Sequence, residues 1–113
     1  MNELTKEIRA FNKKRDWDQF HSPKNLAMAL TVEVGEIVQQ FQWLTQEESR
    51  NLSSEKLKEI KEEIGDVMIY VINLADKLGI DPLEAAREKL EKNKSRYPVD
   101  VVKGKSLKYW EYK

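Results

Sequence analysis

The chain contains no cysteine, which removes disulfides, thiolate zinc sites and thiol nucleophiles at once. It contains one histidine, His21, so the paired Glu-x-x-His sites of di-iron bundles cannot be built. It also lacks an excess of charge of either sign. Lys plus Arg and Asp plus Glu each number 20 among 113 residues. A general binder of nucleic acid or of an anionic membrane needs a basic surplus. No apolar run approaches the roughly 20 residues of a membrane-spanning helix. The opening Met-Asn-Glu-Leu-Thr-Lys-Glu resembles no signal peptide. These absences predict a soluble, cytoplasmic chain with no nucleic-acid or membrane partner. Its length suits one domain over residues 1–113 with one hydrophobic core.

What the sequence does hold is helical periodicity. Leu4, Ile8 and Phe11 mark one side of a first helix over residues 2 to 15. Asp16-Trp17-Asp18-Gln19-Phe20-His21 breaks the pattern. Ser22-Pro23 then pairs an N-cap residue with proline at the first helical position. From there Leu26, Leu30, Val34, Ile37, Phe41 and Leu44 recur at threes and fours, which predicts a second helix to Leu44. Thr45-Gln46-Glu47-Glu48 has the form of a capping box for a short turn. A third long helix starts at Ser53 or Ser54 and stops at Gly79, with a seam of Leu57, Ile60, Ile64, Val67, Val71, Leu74 and Leu78. Asp81-Pro82-Leu83-Glu84 opens a fourth, carrying Leu83, Ala86 and Leu90 and ending before Pro98. The tail over residues 99–113 has mixed charge and three aromatics, and its pattern assigns no element. The fold class expected is all-α, a four-helix-type bundle. Met68, Ile72 and Ala75 broaden the apolar seam of the third long helix beyond what so short a monomer covers. This predicts a homo-oligomer.

Two acidic pairs interrupt these apolar helices, Glu33-Val34-Gly35-Glu36 and Glu63-Ile64-Gly65-Asp66. The i, i+3 spacing places each pair on one helical face. Glu33 and Glu36 share a stripe with Ala29, Gln40 and Trp43. Glu59, Glu62, Glu63, Asp66, Tyr70, Asn73 and Lys77 share another. Each stripe flanks its own seam, so the two meet if the helices pack seam to seam. Glu59 with Glu63, and Glu62 with Asp66, are like charges at i, i+4, each pair unfavourable by about 0.2–0.5 kcal/mol. A bound cation relieves such crowding and leaves the groups ionised. Oxygen-only ligands suit Mg²⁺ or Mn²⁺. Mg²⁺ held by few carboxylates usually shares its shell with substrate phosphates, which implies a polyphosphate substrate. On spacing alone a solvated acidic face is the default reading, and a metal site needs further support. Trp17, Trp43 and Tyr70 lie near the acidic pairs and suit base stacking; taken singly, each fits a core or interface role better than ligand contact. His21 is a candidate donor to a base or phosphate.

Several stretches, in order, resemble one family. Arg15-Asp16-Trp17-Asp18-Gln19-Phe20-His21, Pro23-Lys24-Asn25-Leu26, Glu33-Val34-Gly35-Glu36 with Phe41-Gln42-Trp43, Glu62 to Tyr70, and Asn93-Lys94-Ser95-Arg96-Tyr97-Pro98 are similar to the all-α MazG-like nucleoside triphosphate pyrophosphohydrolases. Within them the dCTP pyrophosphatase branch matches best. The resemblance implies that Glu33, Glu36, Glu63 and Asp66 are magnesium ligands. It places Trp17, His21, Trp43 and Tyr70 around the base, and Lys89, Asn93 and Arg96 on a late-helix polar motif that binds substrate, with Lys89 and Arg96 toward phosphate. It also implies a dimer or tetramer that hydrolyses a deoxynucleoside triphosphate, with dCTP or a modified dCTP favoured, to the monophosphate and pyrophosphate. Glu33 and Glu36 both remain candidates for the catalytic base. Other readings stay open: a nucleotide-binding helical module without turnover, a structural bundle, an enzyme releasing orthophosphate, or a pyrophosphohydrolase with another base preference.

Overall fold

The computed structural model describes residues 2–107 and 109–111, and every regular element among them is helical. In chain order these are α1 (Asn2–Lys14), α2 (Pro23–Phe41), α3 (Gln46–Arg50), α4 (Ser54–Lys77), α5 (Pro82–Arg96) and α6 (Val99–Val102). Single 3-10 turns lie at Asp18–Phe20 and Tyr109–Glu111. The chain forms two compact units, Met1–Ile80 and Asp81–Lys113. No helix of the described residues is long and apolar enough to cross a membrane.

The helix starts follow the capping chemistry of the sequence. Ser22 Oγ accepts from the Asn25 amide at 3.1 Å ahead of Pro23. Thr45 and Glu48 form the reciprocal capping box of α3. Ser53 Oγ accepts from Lys56 N at 3.1 Å and starts α4. In each case a side-chain oxygen satisfies an N–H that the first helical turn leaves unpaired. Two helix ends, those of α1 and α4, use left-handed residues. Gly79, at φ 69°, closes α4, with Ile80 N donating to Ala75 O at 2.8 Å and Gly79 N to Asp76 O at 3.1 Å. This is the Schellman arrangement. Asp16, at φ 54°, closes α1 in the same way, with Trp17 N on Asn12 O at 3.0 Å and Asp16 N on Lys13 O at 3.1 Å. Aspartate tolerates this region better than most residues, and here it also accepts from Gln19 Nε2 at 3.0 Å.

Within the first unit α4 packs against α2 along its length and against α1. Leu26 of α2 and Ile72 of α4 are the most buried large side chains, each 1% exposed. Ile8, Ile60 and Ala75 complete the buried apolar set. Two differences from the periodicity stand out. The second helix stops at Phe41 instead of Leu44, because Thr45 must be extended to cap α3. The apolar seams are also only partly internal. Val34, Leu57, Ile64 and Leu78 are exposed, while Asn73 is buried. The buried side of α4 turns toward α1 in its C-terminal half, where Asn12 and Arg9 reach it. Periodicity finds a helix's apolar arc but not how much of that arc a neighbour covers.

The second unit starts at Asp81, whose Oδ1 accepts from Leu83 N at 2.9 Å and Glu84 N at 3.2 Å. Its helix α5 ends at the Tyr97 amide, which donates to Asn93 O at 2.8 Å. The tail, which the sequence leaves unassigned, forms α6 and the second 3-10 turn. Of its three aromatics, Tyr112 lies outside the described residues.

Two ion pairs clamp the start of the first unit to the end of α4. Asp76 pairs with the Arg9 guanidinium, with Nε to Oδ2 at 2.8 Å, and Lys77 Nζ lies 3.0 Å from Asp18 Oδ1. The Arg9 hydrogen bonds, and then its charge, hold the Asp76 carboxyl below the usual aspartate range. A carboxyl depressed on folding adds stability above its unfolded pKa and loses it as the pH falls through its folded pKa. The Asp76 contribution to the urea denaturation midpoint therefore falls as the pH is lowered from about 5 to 3. Asp76→Asn is less stable than wild type at neutral pH, and its curve converges on wild type at the acid end.

Candidate active site

The two acidic pairs meet where α2 packs on α4. One carboxylate oxygen from each of Glu33, Glu36, Glu63 and Asp66 lies within 4.8 Å of the other three. Glu33, Glu36 and Glu63 are half-buried, and Asp66 is exposed. Among the described residues, Glu33 Oε2 and Glu63 Oε2 are buried without a hydrogen-bond partner. Two unsatisfied anionic oxygens so close together are costly. The electrostatics register that cost. Burial pushes the Glu33 carboxyl up first, followed by the charges of Glu36 and Asp66. A hydrogen-bonding contact with Glu36 pushes Glu63 up first, then burial, then the charges of Glu36, Asp66 and Glu33.

This donor set fits a hard divalent cation. All the donors are carboxylate oxygens, and two of them lack partners. An octahedral Mg²⁺ with ligands at about 2.1 Å spans about 4.2 Å between opposite oxygens. Small side-chain rotations bring the observed cluster, 4.8 Å at its widest, to that span.

Beside the carboxylates lies a cavity of about 400 Å³. Helix α1 supplies Phe11 and Asn12, the turn after it Trp17 and His21, α2 Glu33, and α4 Asp66, Tyr70 and Asn73. Glu33 and Asp66 therefore belong both to the cavity wall and to the carboxylate cluster. The Schellman closure of α1 at Asp16 places Trp17 against Phe11, edge to face, with ring centroids 5.4 Å apart. Trp17 in turn meets the His21 ring edge-on at 6.4 Å. Arg15 caps the other side of Phe11, its Cζ 3.7 Å from the ring centroid. His21 is half-buried, and its Nδ1 is buried without a hydrogen-bond partner.

The structure thus brings together Trp17, His21 and Tyr70 of the expected base-site residues and all four expected metal ligands. It does not place Trp43 with them. That ring follows the end of α2, 86% exposed, and is absent from the cavity wall. Lys89, Asn93 and Arg96 lie in the second unit on one face of α5, at i, i+4 and i+7. The sequence reading missed Phe11 and Asn12 as site residues. It placed Asn73 on the acidic stripe without a role. The available signal was an asparagine one turn after Ile8 on the first helix and another inside the apolar run of α4. Gln40 continues the Glu33–Glu36 stripe, with Oε1 buried and unpartnered.

The model of the MazG-like family matches residues 28–111. Among curated proteins, dCTP pyrophosphatase 1 of Bos taurus is 40% identical over 101 residues, covering 88% of this chain and 60% of the relative. The Homo sapiens protein of that name is 40% identical over 103 residues, covering 89% and 61%. The chain thus spans about three-fifths of the length of these curated relatives. The crystal structure of a pyrophosphatase from Archaeoglobus fulgidus is similar with a TM-score of 0.82 at 40% identity, covering 87% of this chain and 92% of that one.

If the four carboxylates hold a divalent cation, saturating Mg²⁺ raises the thermal midpoint at neutral pH by several degrees, since a ligand bound only by the folded state stabilises it. In metal-free buffer Glu63→Gln melts higher than wild type, because it removes one of the repelling charges. The same variant loses most of the Mg²⁺-dependent rise. Differential scanning calorimetry with and without Mg²⁺ measures both effects.

Proposed function

Because this chain belongs to the MazG-like family, we propose that it hydrolyses deoxynucleoside triphosphates, with dCTP or a modified dCTP favoured, to the monophosphate and pyrophosphate. The observation that carries the proposal is that Glu33 and Asp66 are shared by the carboxylate cluster and the aromatic cavity. A base in the cavity thereby has its phosphates led toward the carboxylates. Both mammalian relatives are named dCTP pyrophosphatase 1, which supports the choice of base.

In this mechanism Glu33, Glu36, Glu63 and Asp66 hold Mg²⁺, with Mn²⁺ as the substitute. The cation, when bound, neutralises phosphate charge and lowers the pKa of the attacking water. Trp17 and Tyr70 offer faces to the base, and His21 offers a ring nitrogen. The water oxygen bonds to the α-phosphorus, the bond from that phosphorus to the α–β bridging oxygen breaks, and pyrophosphate leaves. The water proton passes to Glu33 or Glu36, whichever is not fully engaged as a ligand. Lys89, Asn93 and Arg96 keep their substrate-binding role on the family resemblance alone, with Lys89 and Arg96 holding phosphate through charge-assisted hydrogen bonds.

The proposal treats residues 1–113 as one MazG-like domain that assembles into a homodimer or homotetramer. Exposed Met28, Val32 and Val38 on α2, exposed Leu57, Ile64 and Met68 on α4, and the bare Trp43 ring support that assembly.

Glu63→Ala and Asp66→Ala should each lose several orders of magnitude in turnover while keeping a helical circular-dichroism spectrum. Turnover near wild type in both sinks the mechanism. The product assigns the bond cleaved: pyrophosphate is expected, and orthophosphate alone places the attack at the γ position. Across a panel of triphosphates kcat/KM should peak among pyrimidine deoxynucleotides. A clear purine preference refutes the base-site roles of Trp17 and Tyr70.

A further inference from the structure

The two most buried polar residues among those described line the cavity and face each other. Asn12 is 4% and Asn73 6% exposed, and Asn12 Nδ2 donates to Asn73 Oδ1 at 2.8 Å. Neither side chain makes another hydrogen bond to the described residues, so Asn12 Oδ1 and Asn73 Nδ2 are left over. The pair therefore offers one acceptor and one donor in a wall that also carries the Ile8, Phe11, Trp17, Ile69 and Tyr70 side chains. A core needing only packing is better served there by leucine or alanine. Unused hydrogen-bonding atoms in a wall suit a ligand that carries the complementary atoms.

We propose that Asn12 and Asn73 read the edge of a pyrimidine base at its N3 and 4-position, and that the pair accepts both 4-amino and 4-oxo bases by turning both amides over together. Cytosine presents an acceptor at N3 and a donor at its 4-amino group, which the donor and acceptor left by Asn73 and Asn12 match. Uracil and thymine present the reverse, a donor at N3 and an acceptor at O4. Amide nitrogen and oxygen have nearly the same size. When both side chains rotate half a turn, Asn73 donates to Asn12, their mutual bond survives, and the outward atoms exchange roles. The faces of the base are left to the aromatic rings, and its edge to the asparagines. A single amide turned alone would oppose two acceptors or two donors, so the flip is concerted.

This inference rests on the proposed nucleotide site but is read through binding, independently of turnover. Calorimetric Kd values are measured for dCMP, dUMP and the deoxynucleoside monophosphate of 2-pyrimidinone, which has no 4-substituent. Wild type should bind dCMP and dUMP within about tenfold of each other, and the 2-pyrimidinone analogue about ten- to a hundredfold more weakly than dCMP. In the Asn12→Ala/Asn73→Ala double variant all three should bind alike, no more tightly than wild type binds the analogue, which keeps only the N3 contact. If the double variant does not fold, each single alanine variant should show the same levelling to a smaller degree. An unchanged preference for dCMP over the analogue in the variants overturns the edge-reading role and leaves the pair as packing. Wild-type discrimination between dCMP and dUMP beyond about a hundredfold overturns the concerted flip. Failure of the hydrolysis proposal has a different signature, no pyrophosphate from any triphosphate, and leaves these binding ratios intact.

Discussion

Four carboxylates drawn to one point at the junction of α2 and α4 are the constraint on which the rest of this structure depends. Left to themselves they repel, and the two unpartnered buried oxygens make that repulsion worse. The apolar packing of two long helices forces them together, with Leu26 and Ile72 fully enclosed. Hydrophobic burial thus holds an electrostatically unfavourable cluster in place, which is how a binding site for a cation differs from a stable ion pair. The ionic clamps lie elsewhere, at Arg9–Asp76 and Asp18–Lys77, where opposite charges meet and the cluster is not disturbed.

The cavity beside the cluster depends on how α1 ends. Asp16 turns the chain through a left-handed residue, and the Asn12 carbonyl then receives the Trp17 amide. The indole ring is thereby held against Phe11 and within reach of His21. The same residue, Asn12, sends its side chain to Asn73. One asparagine thus organises the turn with its backbone and the cavity wall with its amide. Aromatic rings, two amides and two of the four clustered carboxylates thus line a single space.

Particular residues show what could be read beforehand. Ser22, Thr45, Ser53, Asp81 and Gly79 announce helix boundaries because capping is local chemistry, settled within four or five residues. The Glu33–Glu36 and Glu63–Asp66 pairs were equally legible, because i, i+3 spacing fixes a shared helical face. Phe11 and Asn12 were not. Each looks like an ordinary position on an amphipathic helix until the turn at Asp16 shows where the chain goes next. Trp43 is placed apart from the cavity of this chain. It lies on the same stripe as Glu36, but α2 ends at Phe41 and the ring stands in solvent. Val34 and Ile64 read as core for a related reason, since a seam shows which side is apolar and not whether a partner covers it.

Sequence alone determined the all-helical class, the helix starts, the four carboxylates and, through resemblance, the family. These are properties of short windows or of ordered motifs, and they survive without knowledge of how helices are arranged. Tertiary structure alone decided that the two acidic pairs converge within 4.8 Å, that Glu33 and Asp66 also wall the aromatic cavity, and that Asn12 meets Asn73 across 61 residues of chain. The physical reason is that such contacts come from non-local packing. Their energy is returned only when separate helices close on one core, and no local preference encodes the partner.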